Sequence, residues 1–266
     1  MYKPSSVTAM SDIAAAARRL SLVGILGWQD VRQRYRRSTL GPLWLTISMG
    51  VMIGTIGIVF GSIFKASMTE FLPSLASGII LWGFISTVIN EGCSSFIASD
   101  AIIKQLPIPL FVHILRMMWR NMIMLGHNLL IFPIVLIAVG KSVHLVIFLS
   151  IAGYALLLLN LTWMTLILGV VCTRYRDLAQ IVASALQVLF YLTPIVWLPA
   201  SLPKQASVYL LNFNPVYHLL EIVRAPLLGN MPSATSWMVS GALALVGWAL
   251  ALVTYGSFRR RIAYWL

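Results

Sequence analysis

Along this chain, long uncharged apolar runs alternate with short stretches that hold most of the charge. A helix needs about 20 apolar residues to cross a bilayer. Six stretches reach that length: residues 42–64, 71–89, 110–139, 143–171, 178–198 and 235–258. Pro42 suits the first turn of the first stretch, where its missing N–H costs no hydrogen bond. Two other segments are amphiphilic but too short or too interrupted to cross. Residues 12–31 place Ile13, Ala17, Leu20, Gly24 and Val31 on one helical face with Arg18 opposite. That pattern predicts a helix lying along the membrane interface, with Trp28 at headgroup depth. Residues 199–234 are punctuated by Pro199, Pro203, Pro215, Pro226 and Pro232, with amphiphilic pieces at 208–212 and 216–225. Irregular backbone at membrane depth is tolerated only where protein or water surrounds it, so these pieces predict two short re-entrant helices on the outer side. The expected fold is an all-α membrane protein with six transmembrane helices, built as a single transmembrane domain over residues 1–266.

Charge fixes the expected orientation. Only 10% of the residues are charged, against about 25% in a soluble domain. The net charge is +12, from 19 basic and 7 acidic residues. A basic excess points to nucleic acid or to a membrane surface, and position decides between them. Fifteen of the 19 basic residues fall before the first stretch, in or near the second-to-third and fourth-to-fifth connections, and in the C-terminal tail. Lys65, Lys141, Lys204 and Arg224 fall on the opposite side. By the positive-inside rule both termini are expected in the cytoplasm, and no nucleic-acid partner is expected. Residues 1–12 lack the apolar core and small-residue cleavage site of a signal peptide. Cys93 and Cys172 have no ligand spacing and read as small apolar residues at helix ends.

Catalytic motifs are missing. Gly140-Lys141-Ser142 resembles the end of a phosphate-binding loop, but the glycine required five residues earlier is Val135, inside an apolar run. No HExxH or GxSxG is present, and His113, His127, His144 and His218 are not spaced as a metal site. No metal, no cofactor and no enzymatic activity are expected on this chain.

Four features carry candidate chemistry. Arg32, Arg34, Arg36 and Arg37 form the densest basic run, just before the first stretch. It serves as a topology anchor that meets anionic lipid, or as a phosphate site, since guanidinium forks pair with phosphate oxygens. His113, Arg116, Arg120 and His127 share one helical face, either as a polar lining or as partners for Glu91 or Asp100. The segment 98–109 mixes apolar and charged residues with two prolines. It reads as an interfacial loop, or as a short helix whose Ile102, Ile103 and Leu106 dock on a cytoplasmic partner. Aromatic residues in and near the spans, among them Trp82, Phe84, Tyr191 and Trp197, are belt or packing residues, or line a track on which sugar rings slide.

Three segments together resemble the ABC-2-type polysaccharide-export permeases, which include exporters of O-antigen, capsule and teichoic acid: DVRQRYRRSTLGPLWL at 30–45, IKQLPIP at 103–109, and LTPIVWLP at 192–199 with LNFNPVYHLLE at 211–221. They occur in the family's order and span nearly the whole chain. The resemblance implies a permease subunit in the bacterial inner membrane that pairs with a second copy of itself and with two copies of a cytoplasmic ATPase, which holds ATP and magnesium. It implies a polyprenyl-pyrophosphate-linked glycan as cargo, moved from cytoplasm to periplasm. Arg32, Arg34, Arg36 and Arg37 with Leu40 and Gly41 would form the pyrophosphate gate. Glu91, Arg116 and Arg120 would add polar lining, and Ile102, Ile103, Lys104 and Leu106 would couple to the ATPase. Export of a drug or small lipid, and an ATPase-independent channel or carrier, stand as alternatives.

Overall fold

The computed structural model describes residues 5–36, 38–41, 43–199, 209 and 211–266. Every regular element among the described residues is helical. The amphiphilic N-terminal region forms α1 (Ser5–Ala17) and α2 (Leu20–Arg34), followed by α3 (Leu43–Phe64) and α4 (Met68–Ser94). A 3₁₀ turn at Ile97–Ser99 leads into α5 (Asp100–Gln105). Beyond it come α6 (Phe111–Leu129), α7 (Ile131–Val139), a 3₁₀ turn at Leu145–Phe148, α8 (Leu149–Arg174), α9 (Leu178–Leu192), α10 (Pro215–Leu227) and α11 (Ala234–Trp265). Gly140, in the left-handed conformation, caps α7, so the Gly-Lys-Ser triplet is a helix ending and not a phosphate loop.

Among the described residues, five helical segments are long and apolar enough to cross a membrane: Leu43–Ile63, Met68–Ser94, Phe111–Val139, Leu145–Arg174 and Ala234–Trp265. The stretch expected at 178–198 is different. Its helix α9 has 15 residues, about 22 Å at 1.5 Å per residue, short of the roughly 30 Å hydrocarbon core. Pro194 is the cause. The residue before a proline is pushed out of the helical region, and Thr193 is extended at ψ 136°.

The expected single helix at 12–31 is corrected as well. It starts earlier and breaks at Arg18-Arg19 into α1 and α2. The buried residues are Ala9, Asp12 and Ala16 in α1, and Val23, Gly27 and Val31 in α2. Of the expected apolar face only Val31 is buried; Leu20 is 61% exposed. The apolar pattern failed because the central buried residue of α1 is a carboxylate. Of the two expected re-entrant pieces, 208–212 is described only at 209, 211 and 212, which are helical, and 216–225 is the body of α10.

Helix α4 is the centre of the bundle. In its most apolar stretch 72% of the residues are buried, against 11% in α3. On one side it packs on α8, which also carries α10 and α11. Gly153 permits the α8–α10 contact: a Cβ there would lie 2.2 Å from the Ile222 carbonyl oxygen. Asn160 of α8 donates to the Ser240 carbonyl of α11 at 3.1 Å and accepts from Trp163 at 3.1 Å. Trp248 of α11 donates to the Leu159 carbonyl at 3.1 Å.

The two terminal helices meet at one end of the bundle. Asp12 of α1, with its side chain 1% exposed, pairs with Arg259 of α11 at 2.6 Å. It also accepts from the Tyr255 hydroxyl at 2.6 Å and from the Phe111 backbone N–H at 3.0 Å. One carboxylate therefore joins α1 to the last helix and to the first turn of α6. The guanidinium of Arg174, at the end of α8, lies over the Trp265 ring of α11, at this same end. Gly229 meets the His144 ring at the other end. A second polar clasp closes the connection after α9: Asn214 caps α10 and donates to Thr193 at 2.9 Å, and the buried Arg224 donates to the Pro194 carbonyl and pairs with Glu221 at 3.0 Å.

Removing Asp12 strands the buried Tyr255 hydroxyl and the Phe111 N–H. Asp12→Ala should therefore destabilise the solubilised protein by about 3 kcal/mol, whereas Tyr255→Phe, losing one hydrogen bond, should cost about 1 kcal/mol. Denaturant titration of both variants checks the ratio.

Candidate functional site

Two constellations surround the end of α4 where the basic residues converge. The first is a charge cluster between α2, α4 and α6. Arg116 grips Asp30 with two nitrogens, one bond measuring 2.6 Å. Arg120, one turn on, bridges Asp30 at 3.2 Å and Glu91 at 2.6 Å. Glu91 also pairs with Arg34 at 2.8 Å and accepts from Asn121 at 2.6 Å. The side chains of Asp30, Glu91, Arg116 and Arg120 are 10–20% exposed, and that of Arg34 is 44% exposed. The bond to Glu91 holds the Arg34 guanidinium above its ordinary pKa, against partial burial. Burial raises the neighbouring Tyr35 phenol, which stays protonated at neutral pH and contacts Met124 Sδ at 3.6 Å.

The basic run therefore divides. Arg34 is committed to Glu91, whereas Arg32 and Arg36, at i and i+4, are exposed and have no carboxylate partner among the described residues. Arg37 lies outside the described residues. Leu40 is 48% exposed, and Gly41 holds a left-handed φ of 56°, its N–H donating to Ser38 Oγ at 3.0 Å. The α6 face behaves as its spacing predicts for His113, Arg116 and Arg120. The acidic partners of Arg116 and Arg120 are Asp30 and Glu91; Asp100 pairs with Lys104 at 2.9 Å. Among the described residues His127 bonds its own helix, at the Ile123 carbonyl. Asp30 was not singled out in the sequence, because nothing around it points to partners 86 and 90 residues away.

The second constellation is a cleft of about 470 Å³ between α4 and α9. Trp82, Ser86 and Asn90 of α4 recur every four residues and share one face, opposite Gln187, Phe190 and Tyr191 of α9. The Trp82 and Phe190 rings are 5.8 Å apart, and Tyr191, 71% exposed, meets Phe190 edge-on. Trp197 donates to the Tyr191 carbonyl at 3.2 Å. Phe84 does not join them. Two residues from Trp82 it points some 200° around the helix, where it is buried against Tyr154. Phe190 and Gln187 were not singled out in the sequence, although both repeat with Tyr191 on one α9 face.

The segment after α4 projects from the cluster end. In α5, Ile102 and Ile103 are half-buried and Lys104 is exposed, as is Leu106 just beyond the helix. None of the six α5 residues is buried.

The model of the family described as ABC-2 type transporter matches residues 21–228. The chain belongs to the ABC-2 type transporter family. Among curated proteins it is similar to the polysialic acid transport protein KpsM of Escherichia coli, 24% identical over 232 residues, covering 85% of this chain and 89% of that protein. It is similar to the O-antigen export system permease protein RfbA of Klebsiella pneumoniae, 24% identical over 204 residues, 75% and 77% of the two chains. The RfbA of Myxococcus xanthus is 23% identical over 225 residues, 82% and 85%. The matched region of this ABC-2 chain contains both the charge cluster and the cleft.

The cluster makes a graded prediction. A double-mutant cycle between Glu91→Ala and Arg120→Ala should give a coupling on the order of 1–3 kcal/mol, and the cycle between Glu91→Ala and Arg34→Ala less than about 1 kcal/mol, because Arg34 is near solvent. Denaturant stability of the wild type, the three single variants and the two double variants measures both.

Proposed function

We propose that this chain is the membrane-spanning subunit of an ATP-driven exporter that moves a polyprenyl-pyrophosphate-linked polysaccharide of O-antigen type from the cytoplasm to the periplasm. The cleft between α4 and α9 carries the reading. Apolar C–H faces of sugar rings stack on flat aromatic surfaces, while Asn90, Gln187 and Ser86 supply donors and acceptors along the rim. The names of the KpsM and RfbA relatives agree with such a cargo.

In this reading the chain crosses the inner membrane six times, with α9 and the bent segment after it as the fifth crossing, and both termini are cytoplasmic. The meeting of α1 with α11 at one end fits an even number. Two copies form the pathway, each contributing one cleft, and the largely exposed faces of α3 and α9 are where they pack. Arg32 and Arg36, exposed and uncommitted, capture the pyrophosphate by charge-assisted hydrogen bonds, next to Leu40 and Gly41. A cytoplasmic ATPase docks on α5 through Ile102, Ile103, Lys104 and Leu106, and its closure reaches α4 and α6 through the segments on either side.

The test is export of the surface glycan in cells whose own gene is deleted and replaced by variants. Trp82→Ala with Tyr191→Ala, and separately Arg32→Ala with Arg36→Ala, should each lower surface polysaccharide roughly tenfold, equivalent to about 1.4 kcal/mol of lost interaction, with normal amounts of protein in the membrane. Unchanged surface polysaccharide on deletion of the gene would overturn the proposal.

A further inference from the structure

The cleft between α4 and α9 has a narrower chemistry than a general fit to sugar. Its accessible parts are few. On α9, Tyr191 is 71% exposed and Gln187 is exposed. On α4, Asn90 is exposed and Ser86 is half-buried. The Phe190 ring is half-buried, and Trp82, 8% exposed, packs against it. The accessible polar groups are neutral and partly unused. Among the described residues the Gln187 amide and the Tyr191 hydroxyl make no hydrogen bond. Asn90 donates one N–H to the Ser86 carbonyl at 2.9 Å and keeps its other N–H and its Oδ1 for a guest. A carboxamide both donates and accepts. That set matches hydroxyl and acetamido groups, which do the same, while the exposed phenol ring takes a C–H face.

Among the described residues no charged side chain lines this cleft. Glu91, next to Asn90, turns to the other side of α4, where Arg34, Arg120 and Asn121 take both of its oxygens. A second copy that packs through α3 or α9 adds no charge either: residues 43–64, 71–90 and 178–192 contain no acid and no base. The face from Asn90 to Trp82 covers about 12 Å of helix. It runs from near one end of a membrane-spanning helix toward its middle. A carboxylate moved along it sheds water and meets no cation, and an unpaired charge is costly in such surroundings. A neutral sugar gives up only the hydration of its hydroxyl and amide groups, which the amides of the cleft replace.

We propose that this cleft selects uncharged glycan, built of sugars with hydroxyl or acetamido groups, over acidic glycan whose sugars carry carboxylates. The inference rests on the reading of the cleft as the glycan path. Gln187 sets the preference. Ala183, Gln187 and Tyr191 recur every four residues on the α9 side of the cleft, so Gln187 stands at the centre of that wall. It is the exposed, unbonded group that a passing sugar meets beside the Tyr191 ring. A cation at this one position would supply the partner that an acidic sugar lacks.

The test uses the full-length protein in phosphatidylcholine nanodiscs at about 0.15 M salt, where exposed charges are screened beyond about 8 Å. Saturation-transfer NMR titrations, with empty discs as the blank, compare three soluble probes of equal length: hexamers of glucose, of N-acetylglucosamine and of galacturonate. The two neutral hexamers should bind at least about tenfold more tightly than the acidic one. Tyr191→Ala should weaken both neutral hexamers, and Gln187→Lys should move the ratio toward galacturonate by about tenfold. Galacturonate held elsewhere, at Arg32 or Arg36, is recognised because Tyr191→Ala leaves its binding unchanged. If Tyr191→Ala does not fold, Gln187→Lys, at an exposed position, decides. Galacturonate bound as tightly as the neutral hexamers, with a ratio that Gln187→Lys does not move, would overturn the preference and leave the cleft standing as a sugar site. No saturable binding of any hexamer would overturn the cleft as the glycan path, and this inference with it.

Discussion

Three carboxylates hold the two N-terminal helices to the bundle, and the remaining architecture depends on them. Asp12 ties α1 to α11 and to the start of α6. Asp30 ties α2 to α6, and Glu91 ties α4 to both α2 and α6. Amphipathic helices at a membrane surface are otherwise held by apolar burial and lipid charge, both of which let a helix slide. A buried or half-buried ion pair has a defined geometry, and breaking it leaves an uncompensated charge. With so few acids in the chain, this use of three of them sets where α1 and α2 lie.

That constraint also relates the two constellations. Asn90 and Glu91 are neighbours on α4, about 100° apart around the helix. Asn90 faces the aromatic cleft shared with α9, and Glu91 faces the arginines of α2 and α6. One buried helix thus presents an aromatic and amide-lined cleft on one side and the anchor of the surface helices on the other. The 3₁₀ turn and α5 begin three residues after the same helix ends. A short turn thus joins α5 to the helix that touches both constellations. A polar cavity of about 260 Å³, lined by Asp30, Glu91, Arg116 and Arg120, lies at this junction.

Much of this was legible in the chain. Apolar runs located the five long helices because a bilayer-spanning length is hard to imitate. The α6 stripe was found because charge is rare in such runs and three charged or polar groups at helical spacing stand out. The resemblance carried the family. Other features were hidden for physical reasons. The break at Arg18-Arg19 and the burial of Asp12 cannot be seen in an apolar pattern, because the residue facing the core is ionised and its partners lie 99 and 243 residues away. Asp30 was hidden for the same reason, its partners lying 86 and 90 residues on. Phe84 was grouped with Trp82 by composition, although helical phase sends them to opposite faces. The shortness of α9 was signalled by Pro194, whose effect on Thr193 could have been read from the sequence.

The central claim is that carboxylate–guanidinium pairs, and not apolar burial alone, keep α2 in place. Hydrogen–deuterium exchange of the full-length protein in nanodiscs, comparing wild type with Asp30→Ala, tests it most directly, because local opening is read amide by amide. The account predicts that backbone amides of α2 lose protection in the variant while those of α4 and α8 keep theirs. Equal protection of α2 in both proteins would contradict it.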